Sequence, residues 1–204
     1  VHVGELVAAG LDVVLAFDPA DYRGAIALPG DGASPAYLIG NSRGLWDRFV
    51  AAMDADRELA ASGHPLDRYV EAAIDGALDP GDVVRYAHRA EPDFLPMIDV
   101  ARAAGLKIGA CGLAIHPVYG PWIALRAVVV APTTPASREP RPLATCDCAV
   151  HCAPPSDAAR DSVGWQPEIW LTARDACPIG RAHRYGDAQL RYHYHRDRAA
   201  LYDR

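Results

Sequence analysis

No stretch of this sequence strings together the roughly 18 apolar residues of a membrane-crossing helix, so no membrane partner is expected. The first residues lack the basic, apolar and cleavage-site sections of a secretory signal. Positive charge is not in excess: Lys and Arg total 20 against 26 Asp and Glu, a net charge of -6. That excludes a nucleic-acid protein working through a general basic field. Neither the glycine fingerprint of dinucleotide folds nor a P-loop is present, which removes support for classical dinucleotide or NTP binding. Cysteine is scarce and odd in number, 5 in all. Four of these, Cys146, Cys148, Cys152 and Cys177, fall in the last third. That is a poor disulfide framework and points to a reducing, cytoplasmic setting. There is no internal repeat.

What is present suits a core-forming chain. Half of the 204 residues are apolar, and that length fits one domain over 1–204. Within it, 132–204 forms a less regular part containing Cys and His. Residues 2–9 predict a short helix, Leu11 to Phe17 a strand, and Ala36 to Ile39 a second strand. After it comes Gly40-Asn41-Ser42-Arg43-Gly44. Leu45, Trp46, Phe49, Val50 and Met53 then recur at helical spacing. Asn41 or Ser42 suits the N-cap of that helix and Gly63 its stop. Such a turn is either an ordinary helix start or a cradle of backbone N–H groups for an anion or an amide carbonyl.

Pro65 suits the first turn of another helix, with Leu66, Tyr69, Val70, Ala73 and Ile74 on its apolar face. A strand over Val83 to His88 and a helix over Phe94 to Ala104 follow. Pro132 to Pro142 reads as extended or irregular, and Ala188 to Tyr202 as a terminal helix. Helices alternate irregularly with strands, and a hairpin is expected at the centre. The class is therefore α+β rather than a strictly parallel sheet.

That centre is Cys111 to Val130, two apolar flanks around a loop carrying His116, Pro117, Tyr119, Gly120 and Trp122. A neutral imidazole ligates a metal, shuttles a proton or bonds a ligand amide, and Trp122 offers a flat surface with one donor. The alternative is a structural histidine in a turn. Arg126, in an apolar run, must reach a strand end, a partner or a ligand, since isolated burial of charge is costly. The cysteine group, with His151 beside it, has donors soft enough for zinc or iron–sulfur. Its spacing matches no standard motif, so redox-active thiols and an incidental cluster stand beside a metal site. His183, His193 and His195 are further candidate ligands, although the spacing of the last two suits surface histidines.

The run from Ala114 to Val129 resembles the Ile-His-Pro-x-Phe-Gly-Gly-Trp-x-Ala-Ile-Arg segment of the CblC family. These are cobalamin-processing chaperones, the methylmalonic aciduria and homocystinuria type C proteins. More distantly it is similar to a His-Pro-x-x-Gly segment of epoxyqueuosine reductases. Leu45 to Phe49 and His64-Pro65-Leu66-Asp67 fall where that family has an early helix and an Asp-Pro-Val-Asp element. The order agrees from about residue 36 to 131. Ala176 to Gly180 with Arg184-Tyr185 resembles bacterial relatives described as ferredoxin-like.

The resemblance implies a flavin-reductase or nitroreductase-like fold, a mixed sheet flanked by helices. It implies cobalamin bound base-off, with reductive decyanation or thiolate dealkylation, or else carriage of cobalamin to a cobalamin-dependent acceptor enzyme. It places Asn41, Ser42, Arg43, Trp46, Ile115, His116, Pro117, Tyr119, Gly120, Trp122 and Arg126 against the corrin. Glutathione or another thiol, or reduced flavin, would be the co-substrate of a monomer or homodimer. The glutathione region of the family does not align onto Thr145 to Arg174. Cys146, Cys148 and Cys152 stand there as candidate catalytic thiolates, and together with Cys177 as candidate metal ligands. A small iron–sulfur or flavin redox protein on the same scaffold is the remaining reading.

Overall fold

A computed structural model of the chain describes residues 1–30, 32–90, 94–132 and 148–203, without the Cys148 side chain. Cys146, the Cys148 thiol and most of the Pro132 to Pro142 stretch lie outside the described residues. The chain divides into two compact units, Val1–Gly105 with Ala124–Arg141, and Leu106–Ile123 with Pro142–Arg204.

The first unit holds helices α1 (Val3–Ala8), α2 (Leu45–Ala55), α3 (Arg57–Ala61), α4 (Pro65–Gly76) and α5 (Met97–Ala103). Its strands are β1 (Val13–Phe17), β2 (Ala36–Asn41), β3 (Val83–Tyr86) and β6 (Ala124–Val130). They form one sheet in the order β1-β2-β6-β3, with every ladder antiparallel. The helices flank it, so the α+β class expected from the sequence is the class found. In β1, Val13, Leu15 and Phe17 are buried and alternate with half-buried Val14 and Ala16, a pleat with one dry face. All six residues of β2 are buried, so this inner strand is covered on both faces. The register matches Leu38 to Val128 and Tyr37 to Val129, and shifts between Ile39 and Gly40.

Two helices differ from the sequence pattern for local reasons. The expected helix from Leu45 to Gly63 is two helices. Asp56 turns extended between them, and its carboxylate accepts from the N–H groups of Glu58 (2.8 Å) and Leu59 (3.1 Å), capping α3. The helix expected from Phe94 starts only at Met97, because Pro96 sits at its N-cap and keeps the preceding residue out of the helical region.

The second unit holds β4 (Lys107–Ile108) paired antiparallel with β5 (Ala114–Ile115), then α6 (Cys148–His151), α7 (Ala153–Asp161), α8 (Pro167–Asp175) and α9 (Asp187–His195). The two flanks of the His116 loop therefore do not pair with each other, a correction to the expected central hairpin. β5 belongs to the two-stranded sheet and β6 to the four-stranded one. The physical reason is the short closure between His116 and Gly120, followed at once by Pro121, which has no N–H to continue a ladder. The terminal helix ends at His195 rather than running to Tyr202. Arg196 adopts φ 55°, and Asp197 caps a short 3-10 turn over Arg198–Leu201. Among the described residues, no helix is long and apolar enough to cross a membrane.

Candidate functional site

In the first unit, the end of β2 and the turn after it are held by side chains. The Asp12 carboxylate accepts from the Ser42 N–H (2.6 Å) and from the Ser42 hydroxyl (2.5 Å). The cradle that the sequence offered to an external anion thus already contains an internal one. Neither Asn41 nor Ser42 is the N-cap of α2. Asn41 is the last residue of β2, and Gly44 occupies the cap position, its N–H 3.3 Å from Ser42 Oγ. Asn41 is fully buried; its amide donates to the Ser42 carbonyl (2.7 Å) and accepts from Arg126 Nε (2.7 Å). Ala124 pairs with Asn41 across the ladder, and Arg126 is the extra residue at the register shift, between the partners of Gly40 and Ile39. The guanidinium in the apolar run thus meets a buried amide through its Nε. Arg43 is exposed and Trp46 half-buried.

In the second unit, His116 to Gly120 is a hairpin closed by two backbone bonds, His116 N–H to the Gly120 carbonyl (2.9 Å) and the reverse (2.8 Å). Three residues bridge it, with Pro117 setting the turn and Gly120 at φ 58°, the left-handed conformation that this loop length needs. Val118 is exposed, and His116, Pro117 and Tyr119 are half-buried. The His116 Nδ1 accepts from the N–H groups of Val118 and Tyr119, each at 3.2 Å. With Nδ1 an acceptor, the neutral ring carries its proton on Nε2. His116 is therefore presented as a hydrogen-bond donor, not as a lone pair for a metal. Its ring stacks on Tyr119 (4.7 Å between centroids, 19°), and Tyr119 meets His183 edge-on (4.9 Å, 80°).

Trp122 does not offer an open face. It is 1 % exposed and packs with Leu171, Tyr185, Leu190 and Tyr194. The guanidinium of Arg174 lies 4.7 Å from its ring centroid and that of Arg184 5.5 Å. It anchors the loop from below. Ile115 is likewise buried, among Cys111, Cys152 and Cys177.

Arg174, on α8, escaped notice in the sequence. It donates from Nε to the Pro121 carbonyl (2.9 Å), from one terminal nitrogen to the Pro121 and Ile123 carbonyls (the latter 2.9 Å), and from the other to the Tyr194 hydroxyl (2.7 Å). Two of its three acceptors are main-chain carbonyls, which any residue carries, so no motif signals the contact. Asp12 was missed for the same kind of reason: its partner Ser42 is 30 residues away in sequence.

Two of the cysteine candidates come together. Cys152 and Cys177 are each 1 % exposed in an apolar cluster with Cys111. Cys146 and the Cys148 thiol lie outside the description. Among the described residues no group of three or more His, Cys, Asp and Glu is arranged to hold a metal ion. His195 instead faces Glu168 (3.6 Å), and His193 packs against Tyr185 and Tyr192.

Elsewhere in the first unit an open cavity of about 310 Å³ is lined by His64, Asp67, Arg68, Glu71, His88 and Arg89. Glu71 accepts from Arg89 Nε (2.7 Å) and lies 2.7 Å from His88 Nε2. The Arg89 hydrogen bond is the main force holding its carboxyl below the ordinary carboxylate range, against partial burial and with His88 assisting.

No protein-family model matches the sequence, and no curated protein matches it. Solved structures do. A B12-trafficking protein of C. elegans, CblC, described as a homologue of human MMACHC, superposes with a TM-score of 0.69. The match is 18% identical in sequence and covers 93% of this chain and 87% of that one. The likeness is one of fold.

Proposed function

We propose that this chain is a single cobalamin-binding domain that takes cobalamin, as its substrate, with the lower nucleotide base displaced, and removes its upper axial ligand. The observation that carries the reading is the near-complete overlap of its fold with a B12-trafficking protein despite 18% identity. The His116 hairpin supports it locally. A corrin is a broad apolar disc ringed by amides, and it asks for flat apolar contact plus scattered donors. Pro117, Val118 and Tyr119 supply the first. His116 Nε2–H supplies a donor for an amide carbonyl or an axial water. Arg43 and Trp46 supply accessible contacts from the turn after β2. Asn41, Ser42 and Arg126 within the first unit, and Ile115, Gly120 and Trp122 within the second, hold their own segments in shape. When cobalamin is bound, its cobalt supplies the bond-breaking chemistry.

Visible spectroscopy tests the reading. Adding cyanocobalamin or methylcobalamin to the protein is expected to give the base-off shift, and an unchanged spectrum with correctly folded protein rejects cobalamin binding. Loss of the upper ligand upon adding glutathione or reduced flavin then identifies the enzyme. An iron–sulfur absorption band in the purified protein favours the redox reading instead.

One observation favours a second reading, a carrier that hands cobalamin to an acceptor enzyme. The Cys152 and Cys177 thiols are buried among apolar side chains, each 1% exposed, so an incoming ligand does not reach them. Dealkylation then depends on a thiol from outside. Retention of the methyl group after incubation with glutathione selects the carrier.

A further inference from the structure

We propose that Arg174 is the positioning residue of the His116 hairpin, its guanidinium fork strapping the Pro121 and Ile123 carbonyls so that His116 is held in the Nε2–H form. Arg174 is 9% exposed, and the groups that meet it in the second unit are neutral. They include two carbonyls, the Tyr194 and Tyr185 hydroxyls, and the rings of Trp122 (4.7 Å), Tyr185 (5.0 Å) and Tyr194 (6.0 Å). A buried charge without a carboxylate is expensive to keep. Here the cost is offset by four hydrogen bonds to three acceptors and by aromatic faces.

The geometry states what that arrangement accomplishes. Pro121 and Ile123 bracket Trp122, immediately after the residue that closes the hairpin. Pinning both carbonyls to one rigid planar group fixes the exit of the hairpin. A mobile exit would let the Val118 and Tyr119 N–H groups drift from His116 Nδ1, and the ring would then populate both tautomers. The same end of the loop is also held by a second contact. The backbone of Gly120 runs against Ile179 and Gly180 so closely that neither glycine has room for a side chain. The strap and the interlock thus act on neighbouring residues of Gly120–Ile123. Only arginine provides a planar fork with five donors; lysine offers a single point charge.

The test measures the tautomer without any ligand. Long-range proton–nitrogen NMR spectra of the His116 ring are recorded at about pH 8.5, two units above the ordinary histidine pKa of about 6.5. The His116 signals are assigned by their absence in H116Q. The wild type is expected to show the Nε2–H pattern. R174K keeps the buried charge but not the fork, and is expected to show averaged nitrogen shifts. Y194F keeps the fork on the carbonyls and is expected to retain the wild-type pattern. The idea is overturned by a wild-type pattern in R174K, by averaging in Y194F equal to that in R174K, or by an R174K chain lacking the wild-type far-UV circular dichroism.

A second arm rests on the cobalamin reading proposed above. R174K is expected to bind cyanocobalamin about tenfold more weakly than the wild type, the scale of one charged hydrogen bond. Equal affinity in R174K overturns the role in ligand binding. Absence of binding by the wild type rejects the cobalamin reading alone, while the tautomer measurement still decides the role of Arg174.

Discussion

Gly120 and Gly180 occupy each other's side-chain space. A Cβ on Gly120 would stand 1.9 Å from the Ile179 carbonyl oxygen, and one on Gly180 2.1 Å from the Tyr119 carbonyl carbon. Both residues have positive φ, 58° and 73°. The two loops of the second unit meet main chain to main chain. This contact and the Arg174 strap hold the His116 hairpin.

Gly120→Ala is therefore expected to destabilise the protein by more than about 2 kcal/mol, since the left-handed conformation and a backbone overlap both count against it. Gly180→Ala should do the same. Urea denaturation monitored by far-UV circular dichroism is the measurement. A midpoint within error of the wild type for either variant refutes the interlock. Gly112→Ala is the control: that glycine also has positive φ but nothing within 4 Å of its missing Cβ, so only the conformational part of the loss should appear.

Asp12→Ala removes the acceptor of both the Ser42 N–H and the Ser42 hydroxyl. Ser42 is 3% exposed, so its donors are left without water or partner. A loss of about 2–3 kcal/mol is expected, and a smaller one for Ser42→Ala, which removes only the hydroxyl. Urea midpoints with unchanged slope would report it. Equal losses for the two variants contradict the two-donor arrangement.

Glu71 ties stability to pH. Its folded pKa lies below the ordinary value of 4.5, chiefly through the Arg89 hydrogen bond. A depressed carboxylate contributes stability above the unfolded pKa and loses it as pH falls through the folded value. The gap in urea midpoint between wild type and Glu71→Gln should be full at about pH 6 and shrink by about pH 3. A gap that is constant across that range disproves the pairing.

Cys152 and Cys177 should resist a water-soluble alkylating reagent in the native protein and react once denaturant is added, because each is 1% exposed. Mass spectrometry of peptides after brief labelling reads this site by site. Rapid native labelling of either thiol would restore it as a candidate nucleophile.

Several parts of this architecture were legible in the residues alone. The apolar, partly β-branched run from Leu11 to Phe17, the apolar run from Ala36, and Pro65 ahead of a helical apolar face are local patterns, and local backbone preference settled them. The tight turn at His116 was equally legible, because Pro117 and Gly120 constrain the chain whatever surrounds them. Long-range contacts decided the rest. Which strand pairs with each flank of the hairpin depends on partners such as β2 and β4, remote in sequence. The break at Asp56 required its carboxylate to win over a continuous helical pattern. The apparent anion cradle at Ser42 was filled by Asp12, 30 residues away. Trp122, a flat surface in the sequence, became a buried anchor once Tyr185 and Arg174 closed on it. Arg174 itself was invisible because it binds main-chain carbonyls, and these have no signature in a sequence. Tertiary structure alone brings a guanidinium from α8 onto the exit of the hairpin.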